Sequence, residues 1–118
     1  MTKTLLILRH AKSSWKNEKL NDFDRPLKHR GEESAKVIGK VLMMAELVPQ
    51  VILSSPAQRA KQTAELVAEE SKFKGELKFV ESYYMGEPED YITALKELPD
   101  EIERVMIVGH NPGLEALL

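Results

Sequence analysis

The fold class predicted by the sequence is an α/β domain: a three-layer α/β/α sandwich with a mainly parallel sheet covered by helices on both faces. Three observations predict it. Short apolar runs that suit strands alternate with longer stretches of helical periodicity along the whole chain. The runs Leu5 to Leu8, Val51 to Leu53 and Val105 to Val108 are apolar at every position, the pattern of strands buried on both faces. The 118 residues, 42% hydrophobic and 31% charged, suffice for one core and are too few for two, so residues 1–118 read as a single domain.

Met1 to Leu8 reads as the first strand, and it ends abruptly in Arg9, His10, Ala11 and Lys12. Ligands bind at the carboxyl ends of strands in open α/β sheets, which makes His10 the candidate chemical centre. Ser13 to Asn21 is polar and aperiodic and reads as a surface loop, with Lys12, Ser13, Ser14 and Trp15 either exposed or shaping a pocket rim. Asp22 to Leu27 reads as an ordered turn, because Pro26 fixes its own φ and keeps Arg25 extended. Arg25 is then a pocket wall or an ion-pair partner of Asp22 or Asp24. After Gly31 a helix follows, with Ala35, Ile38, Val41, Leu42 and Ala45 inward, and Pro49 closes it. His29, between Lys28 and Arg30, is expected in solvent.

Val51 to Ser54 is the second strand. Ser55 reads as an N-cap and Pro56 as the first helical residue, passing the strand directly into a helix that buries Ala60, Ala64 and Val67. Arg59 leaves its first turn, and a helix N-terminus with an arginine beside it suits an anion. Leu77 to Glu81 is a weaker third strand ending in Glu81, and Ser82 to Glu89 a loop. Tyr91, Leu95 and Leu98 mark a short helix closed by Pro99. Val105 to Val108, the fourth strand, ends in Gly109, His110, Asn111 and Pro112, repeating the cap-and-proline punctuation before a helix that begins at Gly113. Leu114, Ala116, Leu117 and Leu118 run out without a C-cap signal, so the sequence reads as truncated or lacking a continuation.

A net charge of -2 gives no basis for nucleic-acid binding or a polybasic membrane patch. The absence of cysteine excludes disulfides, thiolate catalysis and sulfur-ligated metals. The apolar start is too short for a signal peptide, and a cytoplasmic protein is expected. The sequence leaves the oligomeric state open.

Arg9 with His10, Arg59, and His110 mark three strand ends, and together they make a cationic pocket suited to a phosphoryl group. No glycine-rich loop has nucleotide-binding spacing, and the histidines are far apart in sequence with no clustered ligand motif; neither a metal nor a cofactor is expected. Covalent catalysis remains, with neutral His10 as nucleophile and Arg9, Arg59 and His110 on the phosphoryl oxygens. A lone histidine after a strand is ordinarily structural; here its companions turn the reading toward chemistry.

These residues resemble a known family. Arg9-His10-Ala11 is similar to the arginine-histidine-glycine signature of the histidine phosphatase superfamily, with alanine in third place. RHAKSSW at 9–15, DFDRPL at 22–27 with Gly31, SSPAQRAKQT at 54–63 and VGHNPGL at 108–114 resemble its SixA-type phosphohistidine phosphatase branch, in family order from Lys3 to Leu118. The resemblance implies a phosphoglycerate mutase-like fold, His10 as phospho-accepting nucleophile, and a phosphate pocket of Arg9, Arg59 and His110, with Arg25 and Asn111 as further candidates. It implies a phosphohistidine-bearing protein or a small phosphoester as substrate, and members that continue past the NPGL block by a helix and one or two strands. Mutase-like relatives use a carboxylate to protonate the leaving oxygen, for which Glu81 is the candidate, with Glu87 and Glu89 behind it. SixA-type members are thought not to depend on one. Two other readings stand beside this one: a small-metabolite phosphomonoesterase or mutase, and a non-catalytic phospholigand-binding module.

Overall fold

The computed structural model describes residues 3–14, 16 and 19–118. Among them, strands β1 (Thr4–Arg9), β2 (Val51–Ser54), β3 (Glu76–Phe79) and β4 (Arg104–Gly109) run parallel in the order β1-β4-β2-β3. The helices are α1 (His29–Met44), α2 (Gln58–Glu70), α3 (Pro88–Lys96) and α4 (Gly113–Leu117). Side chains alternate across the sheet, and that alternation builds the three layers. Leu6, Leu8, Ile52, Met106 and Val108 pack with Ala35 and Leu42 of α1 and with Ala60, Ala64 and Val67 of α2. Ile7, Val51, Leu53, Val105 and Ile107 face Tyr91 of α3 and Leu114 of α4.

The register positions the site. Leu8 pairs with Val108 and Arg9 with Gly109, while Ser54 pairs with Val108 from the other side. One residue further on, His10, His110 and Ser55 leave the same edge of the sheet together.

Several sequence expectations are corrected. β1 is not buried on both faces: among the described residues it pairs with β4 alone, and Leu5 is 40% exposed. α1 starts at His29, and Gly31 lies inside it because α1 presses on the loop after β1; a Cβ at Gly31 would collide with the Lys12 carbonyl oxygen. Its inward stripe is Gly31, Ala35, Gly39 and Leu42, whereas Val41 is 55% exposed and Ala45 also faces solvent. The reason lies at Gly39, where an added Cβ would sit 2.7 Å from Glu70 Cβ and 2.8 Å from the Val67 carbonyl oxygen. Backbone-close packing against α2 rotates the valine side outward. α2 begins at Gln58 with Ala57 as its cap residue, so Pro56 precedes the helix and Ser55 serves another purpose. β3 stops at Phe79, and Glu81 opens a separate 3-10 turn, Glu81–Tyr83. α3 starts at Pro88, inside the expected loop, and α4 starts at Gly113 as expected, with Pro112 instead of Asn111 at its cap.

Candidate active site

His10 follows β1 with its backbone N–H donating to the Gly109 carbonyl at 3.1 Å, and its ring lies 5.1 Å from the His110 ring, centroid to centroid. The Thr63 hydroxyl donates to the Arg59 carbonyl at 2.7 Å and accepts from the Ala11 N–H at 3.0 Å. This one residue ties the loop after β1 to the first turn of α2, so that His10 and Arg59 are held in fixed relation.

His10 Nδ1 lies 2.7 Å from the Ala11 carbonyl, a contact that requires a proton on Nδ1 and leaves Nε2 with the lone pair. Arg59 Nε–H donates to that Nε2 at 3.3 Å. Burial lowers the pKa of His10, the Ala11 carbonyl opposes it, and the charges of Arg59, Arg9 and Arg25 lower it further. The imidazole is therefore neutral near pH 7.

His110 is 7% exposed. Its backbone N–H donates to the Tyr91 hydroxyl at 3.2 Å, and its Nε2 lies 2.7 Å from Ser55 Oγ. Ser55 Oγ also accepts from the Ala57 N–H at 3.3 Å; with the Ser55 proton directed to His110 Nε2, the neutral ring carries its proton on Nδ1. That Nδ1 is buried without a hydrogen-bond partner among the described residues. Burial first, then the charges of Arg59 and His10, pull the His110 pKa down to about 4.

Asp22 is the residue sequence reasoning missed, having appeared there only as a partner for Arg25. Its Oδ2 accepts from Arg59 Nη2 at 2.9 Å and from the Tyr84 hydroxyl at 2.8 Å, while its backbone carbonyl accepts from Arg59 Nη1 at 2.6 Å. Its Oδ1 accepts from Arg25 Nη2 at 3.0 Å and Nε at 3.3 Å. Burial would raise its pKa, but the hydrogen bonds from Tyr84, Arg25 and Arg59 outweigh burial and bring it to about 2. No local sequence signal marked it: the demand comes from the folded pocket, where Arg25 and Arg59 are 7% and 6% exposed and buried arginines need a carboxylate. Arg25 pairs with Asp22, not Asp24, and also donates to Ser13 Oγ at 2.5 Å, so it backs the site as a wall and as an ion-pair partner.

Arg9 is exposed at the end of β1 and lines a cavity of about 420 Å³ with His10, Ala11, Lys12, Ser13 and Lys28. Asn111 lies on the other side, in a cavity of about 590 Å³ that Asp22, Arg59, Glu87 and His110 also line. Glu81 is exposed and borders neither cavity, and neither does Glu89. The His29 side chain is 84% exposed, as expected. Trp15 lies outside the described residues. Among the described residues no helix is long and apolar enough to cross a membrane.

The family model of the histidine phosphatase superfamily (branch 1) matches residues 5–103. An uncharacterised chloroplastic protein of Arabidopsis thaliana is 33% identical over 124 aligned residues, covering 98% of this chain; the chain spans 57% of that relative's length. The crystal structure of a protein ascribed to the SixA phosphohistidine phosphatases, from Agrobacterium tumefaciens, superposes with a TM-score of 0.89 at 31% identity, over 98% of this chain and 74% of the other. A phosphoglycerate mutase from Bacillus anthracis shares the fold, with a TM-score of 0.71 at 18% identity over 92% of this chain and 74% of its own. A neutral histidine at a strand end with its lone pair facing a buried arginine thus stands in a chain that belongs to branch 1 of the histidine phosphatase superfamily.

Proposed function

We propose that the protein is a phosphatase that forms a covalent phosphohistidine on His10, and that its substrate is phosphohistidine in a protein. The observation that carries this reading is the His10 orientation: Nδ1–H is held on the Ala11 carbonyl, and a neutral Nε2 faces Arg59 Nε–H. An entering phosphoryl group takes over that N–H from Nε2. The freed lone pair attacks phosphorus, the bond from phosphorus to the leaving nitrogen breaks, and that nitrogen keeps the electron pair. Water then attacks phosphorus, the bond to Nε2 breaks, and phosphate leaves with His10 neutral again.

Charge on the equatorial oxygens is met by Arg59 and Arg9 and by His110 Nδ1–H, whose missing partner such an oxygen supplies. Arg25 contributes positive charge behind Asp22, and Asn111 an amide at the cavity wall. The exposed position of Glu81 favours phosphohistidine over a phosphoester. A leaving imidazole protonated at its other ring nitrogen departs neutral without an acid at the breaking bond, whereas an alkoxide needs one. The SixA assignment of the Agrobacterium structure points the same way.

Incubation with a labelled phosphoryl donor should give an acid-labile adduct that His10→Ala abolishes together with turnover. Undiminished hydrolysis by His10→Ala would overturn the mechanism. Phosphate binding without any turnover would make the chain a phospholigand-binding module instead.

A further inference from the structure

The two cavities beside the histidine pair differ in charge. The one containing Asp22 and Glu87 also holds Arg59, which is bound to the Asp22 carboxylate, so its charges offset, whereas the one at Arg9 and His10 is lined by Lys12 and Lys28. From Lys28 the surface continues into a further depression of about 620 Å³ that reaches Lys16 and Arg30. Lys12, Lys16, Lys28 and Arg30 are exposed, and none forms an ion pair among the described residues.

The backbone holds this surface in place. Lys28 N–H donates to the Lys12 carbonyl at 2.8 Å, and Ser14 N–H donates to the Pro26 carbonyl at 2.7 Å. Lys28 and Arg30 also lie where they cost the helix stability. Lys28 caps α1 without a side-chain hydrogen bond, His29 and Arg30 follow, and Glu32 is the acidic residue of the first turn. The positive end of a helix dipole favours acidic side chains there, so the fold gives no reason for this run of bases. A chain of net charge -2 has gathered unpaired cations beside its candidate nucleophile.

We propose that the surface from His10 past Lys12 and Lys28 to Lys16 and Arg30 docks an acidic segment of the phosphoprotein substrate next to its phosphohistidine. The proposal rests on the phosphatase reading above and specifies what surrounds the phosphorylated residue. Cations spread over two adjoining depressions match several carboxylates along one polypeptide better than one small anion.

The test uses two phosphohistidine peptides of equal length, one flanked by glutamates and one by glutamines, with phosphoimidazole as a small donor. The glutamate peptide should show a kcat/KM about tenfold higher at low ionic strength, and the gap should close as NaCl screens it. The double variant Lys16→Glu/Arg30→Glu, at two positions outside the cavity of His10, should lose the gap while hydrolysing phosphoimidazole at the original rate; an acidic residue at position 30, in the first turn of α1, also favours folding. Equal rates on the two peptides, a gap indifferent to salt, or a gap retained by the double variant would overturn the proposal. If phosphoimidazole is not hydrolysed, the phosphatase reading fails, and fluorescence anisotropy of the unphosphorylated glutamate peptide decides docking. Salt-sensitive binding lost in the double variant supports it, and no binding refutes it. Capture of phosphatidylserine vesicles in place of the peptide also refutes it.

Discussion

Arg59 covers the lone pair of His10: its Nε–H lies 3.3 Å from Nε2, while Nη1 and Nη2 are anchored on the Asp22 carbonyl and carboxylate. Of the five guanidinium N–H donors, three are thereby engaged and two remain for an incoming anion. The arginine keeps the His10 lone pair capped and is itself aimed by Asp22. Because the Asp22 pKa falls to about 2, the brace is charged throughout the neutral range.

Asp22→Asn should therefore separate binding from turnover. Removing a negative charge beside Arg59 strengthens the affinity for inorganic phosphate or leaves it unchanged. Loosening the guanidinium should lower kcat about tenfold or more, since misplacement of such a group by a fraction of an ångström is costly. Inhibition by phosphate and steady-state kinetics on one preparation read both effects. Weaker phosphate binding at unchanged kcat would show that Asp22 does not position Arg59.

Much of the site was legible because its signals are local. The apolar runs place His10 and His110 just past strand ends and Arg59 in the first turn of the helix after β2, and parallel pairing leaves those positions on one edge. Asp22 was not legible, because its meeting with Arg59 spans 37 positions and is written only in the charge balance of the folded pocket. Ser55 misled for a physical reason: its hydroxyl does accept a backbone N–H, that of Ala57, but its stronger contact is His110 at 2.7 Å. Hydrophobic periodicity found Ala35, Ile38 and Leu42 on the buried face of α1 but misplaced Val41 and Ala45, because glycines make the closest approach to α2 and to Lys12.

The histidines set the response to acid. Burial, then the charges of Arg59 and His10, bring His110 from 6.5 to about 4. Between those values the unfolded chain binds the proton and the folded one does not. Stability is thus full above about pH 6.5 and declines toward pH 4, by on the order of 3 kcal/mol for His110. The lowered pKa of His10 acts in the same sense. Asp22 adds a smaller loss lower down, as pH falls from 3.8 toward about 2, screened because its side chain is 46% exposed. Urea midpoints should fall steadily on acidification from neutral pH, and kcat/KM should stay level until below pH 6.5. A stability maximum near pH 5 would contradict the assignment of neutral histidines.

Ser55→Ala tests the support of His110. Among the described residues the ring would then have neither nitrogen hydrogen-bonded, and a buried polar atom left without its partner costs about 1 to 3 kcal/mol. Because His110 could then turn, the kcat/KM should fall while Ser55→Thr, which keeps the hydroxyl, restores part of it. Equal losses for alanine and threonine would mean that packing, not the hydroxyl, is what counts at this position.

Gly31→Ala reverses an ordinary expectation. In a helix interior, alanine is normally more stable than glycine by roughly 0.5 to 1 kcal/mol. At Gly31 the new Cβ would collide with the Lys12 carbonyl oxygen and lie 2.9 Å from the Lys12 nitrogen, and neither is the end of a flexible side chain. The loop carrying Lys12 must move outward, strain the Lys28 N–H bond to the Lys12 carbonyl and pull on Ala11, whose carbonyl orients His10. Overpacking of this kind costs about 1 to 3 kcal/mol, so the variant should melt several degrees lower and hydrolyse substrate more slowly. Gly31→Ser should do the same, as it carries the same Cβ. A Gly31→Ala variant with raised Tm and full activity would show that α1 does not press on the loop that holds His10.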